Sequence, residues 1–150
     1  MASLMNSASH PVQRKSLTGL RLRKHADYAA AYAAARKRQS ASMSWFLAPQ
    51  PTDAAARPSA PRVGLTVGKV IGKAHERNRI KRRMREALRR HIDLLPAGAD
   101  LIFHPRRIVL TMEFAKLEAE IVRILEQAAA EAPRFAKPSA ARQIARPAAS

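Results

Sequence analysis

Two rhythms of apolar residues run along this chain. One is helical. In 73–95, Ile80, Met84, Ala87, Leu88, Ile92 and Leu95 fall on a single face at 100° per residue. In 112–130, Phe114, Leu117, Ile121, Ile124, Leu125 and Ala128 do the same, with Thr111 placed to cap the helix. Alanine content predicts a further helix over 26–38. Its only large side chains facing one way are Tyr28 and Tyr32, four residues apart, and Arg36 continues their row. The other rhythm belongs to strands. Over 62–71, Val63, Leu65 and Val67 alternate with Gly64, Thr66 and Gly68. The smooth Gly/Thr face allows close approach, either by a neighbouring element or by a nucleic-acid strand. Shorter strand patterns lie at 43–47, with Trp45 and Phe46, and at 100–104, with Leu101, Ile102 and Phe103. Pro96 and Gly98 stop the helix that precedes them.

These elements predict one domain over 17–131. It is an α/β (α+β) two-layer sandwich, with about four strands in a mixed sheet and three helices, in the order α-β-β-β-α-β-α. Residues 48–61 contain four prolines and read as a long loop. The ends, 1–16 and 132–150, lack periodicity and read as disordered tails. The acid-free stretch 1–26 also has the composition of an organellar transit peptide, but no clear amphipathic helix.

Charge changes the picture of the helix in 73–95. Eight of the fourteen residues in 77–90 are Lys or Arg, and Glu86 is the only acid on their side. The whole chain carries a formal net charge of +17. Cations crowded on one face repel each other until something negative relieves them, and a phosphate backbone is the simplest such partner. Glu113, Glu118, Glu120, Glu126 and Glu131 read as the outer face of the last helix, turned away from a polyanion. Tyr28 and Tyr32 have two readings, core packing or a stacking platform for bases.

Other chemistries find little support. No apolar run approaches a membrane span. There is no cysteine, which excludes disulfides and thiolate metal sites and fits a reducing compartment. The five histidines are dispersed without zinc-site spacing, and no phosphate-binding glycine loop or nucleophile elbow is present. Asp27, Asp53, Glu76, Glu86 and Asp100 are isolated in sequence. The chain reads as a binder with no catalytic residue and no metal site of its own.

Residues 62–88, RVGLTVGKVIGKAHERNRIKRRMREAL, closely resemble the bacterial ribonuclease P protein component. That family's signature is a strand of the form RxGhxVxKxxG, then a helix of the form RNRhKRxhRE, h being apolar. Upstream, RLRKHADYAAAYAAARK is similar to the family's first helix, in which two aromatics lie four apart. The resemblance spans about residues 20–125. It implies a protein that binds a large catalytic RNA, the RNA and its Mg²⁺ cutting the 5′ leader from precursor tRNA. It assigns contact with the catalytic RNA to Arg77, Asn78, Arg79, Lys81, Arg82 and Arg85, with Lys69 and Lys73 extending the surface. It assigns the leader to a cleft between the first helix and the sheet, at Tyr28, Tyr32 and Phe46, with Arg36 beside them. It also implies a left-handed βαβ crossover, against the usual hand. Tyrosines stand here where the family commonly has phenylalanine. Val70 and Lys73 replace a common Lys and Asn, and IFHPRR at 102–107 replaces the commoner IARPxA.

A non-catalytic ribosomal or general RNA-binding protein would explain charge and size, but not the two joined signatures. A basic leucine zipper needs a helix that continues into heptads, which Pro96 and Gly98 prevent. A membrane-active basic helix is a further alternative. The expected partners are the catalytic RNA and precursor tRNA, with no DNA, membrane or protein partner. No cofactor is expected on the protein alone, Mg²⁺ being used by the RNA, and the expected location is cytoplasmic.

Overall fold

The computed structural model describes residues 16–50 and 60–133. Most of both expected tails and of the proline-rich loop lies outside the described residues. Within them the elements follow the expected order: α1 (His25–Ala34), β1 (Arg36–Gln39), β2 (Met43–Pro49), β3 (Arg62–Leu65), α2 (Ala74–Arg90), β4 (Ala99–Pro105) and α3 (Phe114–Glu131). The sheet runs β1-β2-β4-β3. β2 pairs antiparallel with β1 and β4, whereas β3 pairs parallel with β4, so β3, α2 and β4 form a crossover unit.

Strand alternation divides the sheet's two faces. Trp45, Leu47, Leu101 and Phe103 are buried with Ile80, Met84 and Leu88 of α2 and Leu117, Ile121 and Leu125 of α3. Ala48 and Ile102 point the other way and pack with Leu22 and Ala31, bordered by Tyr28 and Phe46. The main sandwich is therefore the sheet against α2 and α3, with α1 laid on the opposite face. Ile80, Met84 and Leu88 are fully buried. Each contributes roughly 1.5–3 kcal/mol by leaving water, which holds a helix of mutually repelling cations on the core.

Several boundaries differ from expectation. The helix expected over 26–38 stops at Ala34, and the next residues form the edge strand β1. Helix propensity separates most residues by only tenths of a kcal/mol, less than a ladder of strand bonds provides. Cations on that edge also discourage pairing with another chain. The proline-rich loop begins later than expected, because Ala48 and Pro49 are still paired in β2. The strand expected over 62–71 ends at Leu65. Thr66 donates once more to the Phe103 carbonyl, at 3.0 Å, and the chain then leaves the sheet for a 3-10 turn at Lys69–Ile71. α2 closes at Arg90, a second 3-10 turn spans Ile92–Leu94, and Gly98 takes a φ of 78°, where a side chain would be strained. Thr111 caps no helix. It ends the 3-10 turn Arg107–Leu110, and α3 starts at Phe114.

The acids of α3 do not all face outward. Glu120 is buried and accepts bonds from the Ser42 amide (2.9 Å), the Ser42 hydroxyl (2.7 Å) and the Ser40 hydroxyl. Burial pushes its pKa up, but these bonds outweigh burial and hold it below the ordinary carboxylate value. Glu131 pairs with Arg38 at 2.8 Å and Glu118 with His91 at 2.7 Å, tying α3 to β1 and to the end of α2. The apolar periodicity could not separate these inward acids from Glu113 and Glu126, which are exposed.

Candidate nucleic-acid interface

The first turn of α2 holds Glu76, whose carboxylate accepts the Lys73 amide at 2.9 Å and the Arg107 guanidinium at 2.8 Å. These bonds, that of Arg107 first, lower its pKa to about 2. Arg77 folds back along the helix start and donates Nε to the Gly72 carbonyl at 3.0 Å. Lys69, Lys73, Asn78, Arg79 and Arg82 are exposed, and Arg77, Lys81 and Arg85 are half-buried on the flanks. Among the described residues no carboxylate pairs with Arg79, Lys81, Arg82 or Arg85. Arg85 has a buried Nε without a partner, and burial, then Arg21 and Arg82, push its guanidinium pKa down. Arg89 and Arg90 close the same cationic run. They instead turn onto Glu86, at 2.7 and 2.9 Å, so the ridge without carboxylates ends at Arg85.

The opposite side of the sheet presents rings. Tyr28 lies on Gly64, where a Cβ would stand 2.7 Å from its ring. The smooth face of β3 thus admits the protein's own tyrosine. Tyr32 meets Phe46 edge-on at 5.2 Å between centroids and His104 at 5.8 Å. Its hydroxyl lies 2.7 Å from His104 Nε2 and 3.4 Å from the Thr66 hydroxyl. The Lys37 amine stands 6.0 Å over the Phe46 ring. Tyr28, Tyr32 and Phe46 therefore come together as expected. Arg36 does not join them. It lies in β1 opposite Leu47, on the face turned away from the rings, and Lys37, opposite Phe46, takes the place expected for it.

Sequence reasoning missed His104, Lys37 and Arg21. Residue alternation alone would have put His104 beside Phe46, had the pairing of β2 with β4 been known. A bridge to Val63 sets Arg21 beside β3, and Arg21 lines one cavity with Lys81 and Arg85 of α2, a placement with no local signal. The isolated acids Asp27 and Asp100 converge on Arg62. It holds Asp100 through two bonds of 2.9 Å and Asp27 at 3.2 Å, fastening α1 to the sheet. Among the described residues no group of His, Asp or Glu could hold a metal ion, and no helix is long and apolar enough to cross a membrane.

A family model described as Ribonuclease P matches residues 18–129. The chain belongs to the ribonuclease P protein family. As a member, it is the protein subunit of a tRNA-processing endoribonuclease whose bacterial RNA is catalytic. A ribonuclease P protein component from a Synechococcus species is 34% identical over 109 residues, covering 72% of this chain and 80% of the relative. One from Thermobifida fusca is 31% identical over 103 residues, covering 67% and 70%. Among solved structures, the RNase P protein of Thermotoga maritima superposes with a TM-score of 0.61 at 23% identity, covering 71% of this chain and 96% of its own. That of Staphylococcus aureus gives 0.60 at 23%, covering 73% and 94%. These likenesses show the shared fold.

Proposed function

We propose that residues 17–131 act as one RNA-binding domain with two adjoining surfaces. The α2 ridge binds the catalytic RNA through Lys69, Lys73, Arg77, Asn78, Arg79, Lys81, Arg82 and Arg85. The ring cleft of Tyr28, Tyr32 and Phe46 holds the 5′ leader of precursor tRNA, with Lys37 supplying the cation in place of Arg36. One observation carries this reading: Tyr28 lines the same small cavity as Arg21, Lys81 and Arg85, so the cleft and the ridge meet. A strand leaving the ridge can continue onto the rings without crossing an acidic surface.

The chemistry divides accordingly. Guanidinium groups neutralise phosphates and let RNA segments pack together. Rings stack bases at about 1–3 kcal/mol each, so even one stacked leader base favours precursor over mature tRNA by roughly 5- to 150-fold. The cut is made by the RNA with Mg²⁺, and the complex works in the cytoplasm. A general RNA-binding role accounts for the charge but for no ring cleft beside it.

Reconstitution with the catalytic RNA tests this. The protein should restore leader removal at low Mg²⁺, where the RNA alone is slow. Tyr28→Ala with Tyr32→Ala should weaken precursor binding at least fivefold and leave mature tRNA binding unchanged. Equal loss for both substrates would eliminate the leader role, and no stimulation by the intact protein would eliminate the subunit role.

A further inference from the structure

The ring side of the sheet carries two neighbouring rows of side chains, and α1 lies on only one of them. The covered row crosses the strands at Lys37, Phe46, Ile102 and Gly64, which stand opposite one another in the pairing. Tyr28 lies on its glycine end, and Ala31 packs with Ile102 in its middle. Two residues along each strand, about 6.6 Å away, the sheet turns polar. Gln39 stands opposite Ser44, and Ser44 opposite His104. Thr66 completes this second row, its amide bonded to the Phe103 carbonyl at 3.0 Å. The Tyr32 hydroxyl reaches into the row from α1, 2.7 Å from His104 Nε2 and 3.4 Å from the Thr66 hydroxyl. Gln39 Oε1 accepts from Arg106 at 2.8 Å and from the Ser44 hydroxyl at 3.4 Å. Among the described residues, Gln39 Nε2 and His104 Nδ1 have no hydrogen-bond partner. Gln39 is exposed, and Ser44, His104 and Thr66 are half-buried. Rings hold any base by its face, and only contacts to its edge tell one base from another. Neutral donors and acceptors beside rings have the chemistry of such an edge contact.

We infer that Gln39, Ser44, His104 and Thr66 form an edge-reading row, which makes the cleft prefer one base at one position of the leader. Tyr32 joins the two functions, with its ring in the stack and its hydroxyl in the row. The inference rests on the proposal that the ring cleft holds the leader, and adds the residues that decide which leader binds best. A phosphate fits the row less well, because it favours charged donors and none of these four side chains is a lysine or arginine. His104 sits at the centre. A neutral imidazole offers one donor and one acceptor, an imidazolium two donors. Its proton therefore sets the direction of the Tyr32 bond and what Nδ1 presents to a base. The charged and titratable groups around it are Tyr32 from α1, Lys37 from β1 and Arg106, two residues along β4 and bonded to Gln39.

The test uses the complex with catalytic RNA and precursor tRNAs in which each leader position near the cut carries each of the four bases in turn. In the intact complex one position should favour one base by roughly fivefold or more, the worth of one or two neutral hydrogen bonds. His104→Phe keeps a ring against Tyr32 and Phe46 but removes both nitrogens. Gln39→Ala removes an exposed amide, and keeps the test open should His104→Phe fold poorly. Each should bring the favoured base down toward the other three. Between about pH 7.5 and pH 5, on either side of the ordinary histidine value, the ratio between bases should change in the intact complex and not in His104→Phe. Weakening of all four bases alike by both variants would overturn the inference, since a purely structural role predicts that. So would the absence of any base preference in a complex that still favours precursor over mature tRNA. A complex that favours neither would remove the leader reading itself.

Discussion

At the scale of single residues, His104 carries a pH dependence. Its ring is packed against Tyr32 and Phe46, and burial, then Lys37, push its pKa below the usual 6.5. The folded protein therefore binds this proton less readily than the unfolded chain does. The resulting stability is complete above about pH 6.5 and is lost as pH falls from there through the lowered folded value. Glu76 and Glu86, lowered to about 2, lose their contributions only below their ordinary pKa of 4.5. Acidification from pH 6.5 to 5 thus singles out the histidine. Thermal midpoints should fall more for the intact protein than for His104→Ala across that window, and parallel curves would refute the assignment. Individual side chains were unevenly legible. The spacing of Tyr28 and Tyr32 was visible in the sequence. The exchange of Arg36 for Lys37 was not, because one residue of strand register decides which face a side chain takes.

Among elements, α2 was the most legible, since its apolar stripe and its cations repeat with the period of its own backbone. β1 was hidden. Four polar residues after an alanine helix look like its last turn, and only pairing with β2 makes them a strand. The β1–β2 turn is then held from two sides. Arg106 donates to Gln39 Oε1 at 2.8 Å and to the Ser40 carbonyl at 3.3 Å, while Glu120 accepts from Ser40 and Ser42. Glu120→Ala leaves buried donors without acceptors and should destabilise the protein by about 2–4 kcal/mol. Glu126→Ala, exposed on the same helix, should stay within about 0.5 kcal/mol. Chemical denaturation of both variants measures the difference, and similar midpoints would show that the turn does not depend on the buried carboxylate.

For the whole molecule, the net charge of +17 makes association with RNA a salt-dependent equilibrium. If the ridge neutralises six phosphates, log K should fall with log salt at a slope of roughly −4 to −5. A slope near zero in a titration with the catalytic RNA would contradict an electrostatic ridge. The sequence by itself determined the order of the elements from β2 onward, the cationic helix with its apolar underside, and the family. Each is written locally, in periodicity and in contiguous motifs. Tertiary structure alone decided that His104 joins the rings, that Arg21 meets Arg85, and that Glu120 turns inward. It also decided that Arg89 and Arg90 are spent on Glu86. Most of these depend on residues far apart in the chain. Even the Glu86 pairing, though local, is a choice among rotamers that periodicity cannot make. Spatial neighbours are set by strand register and helix packing, which no local pattern encodes.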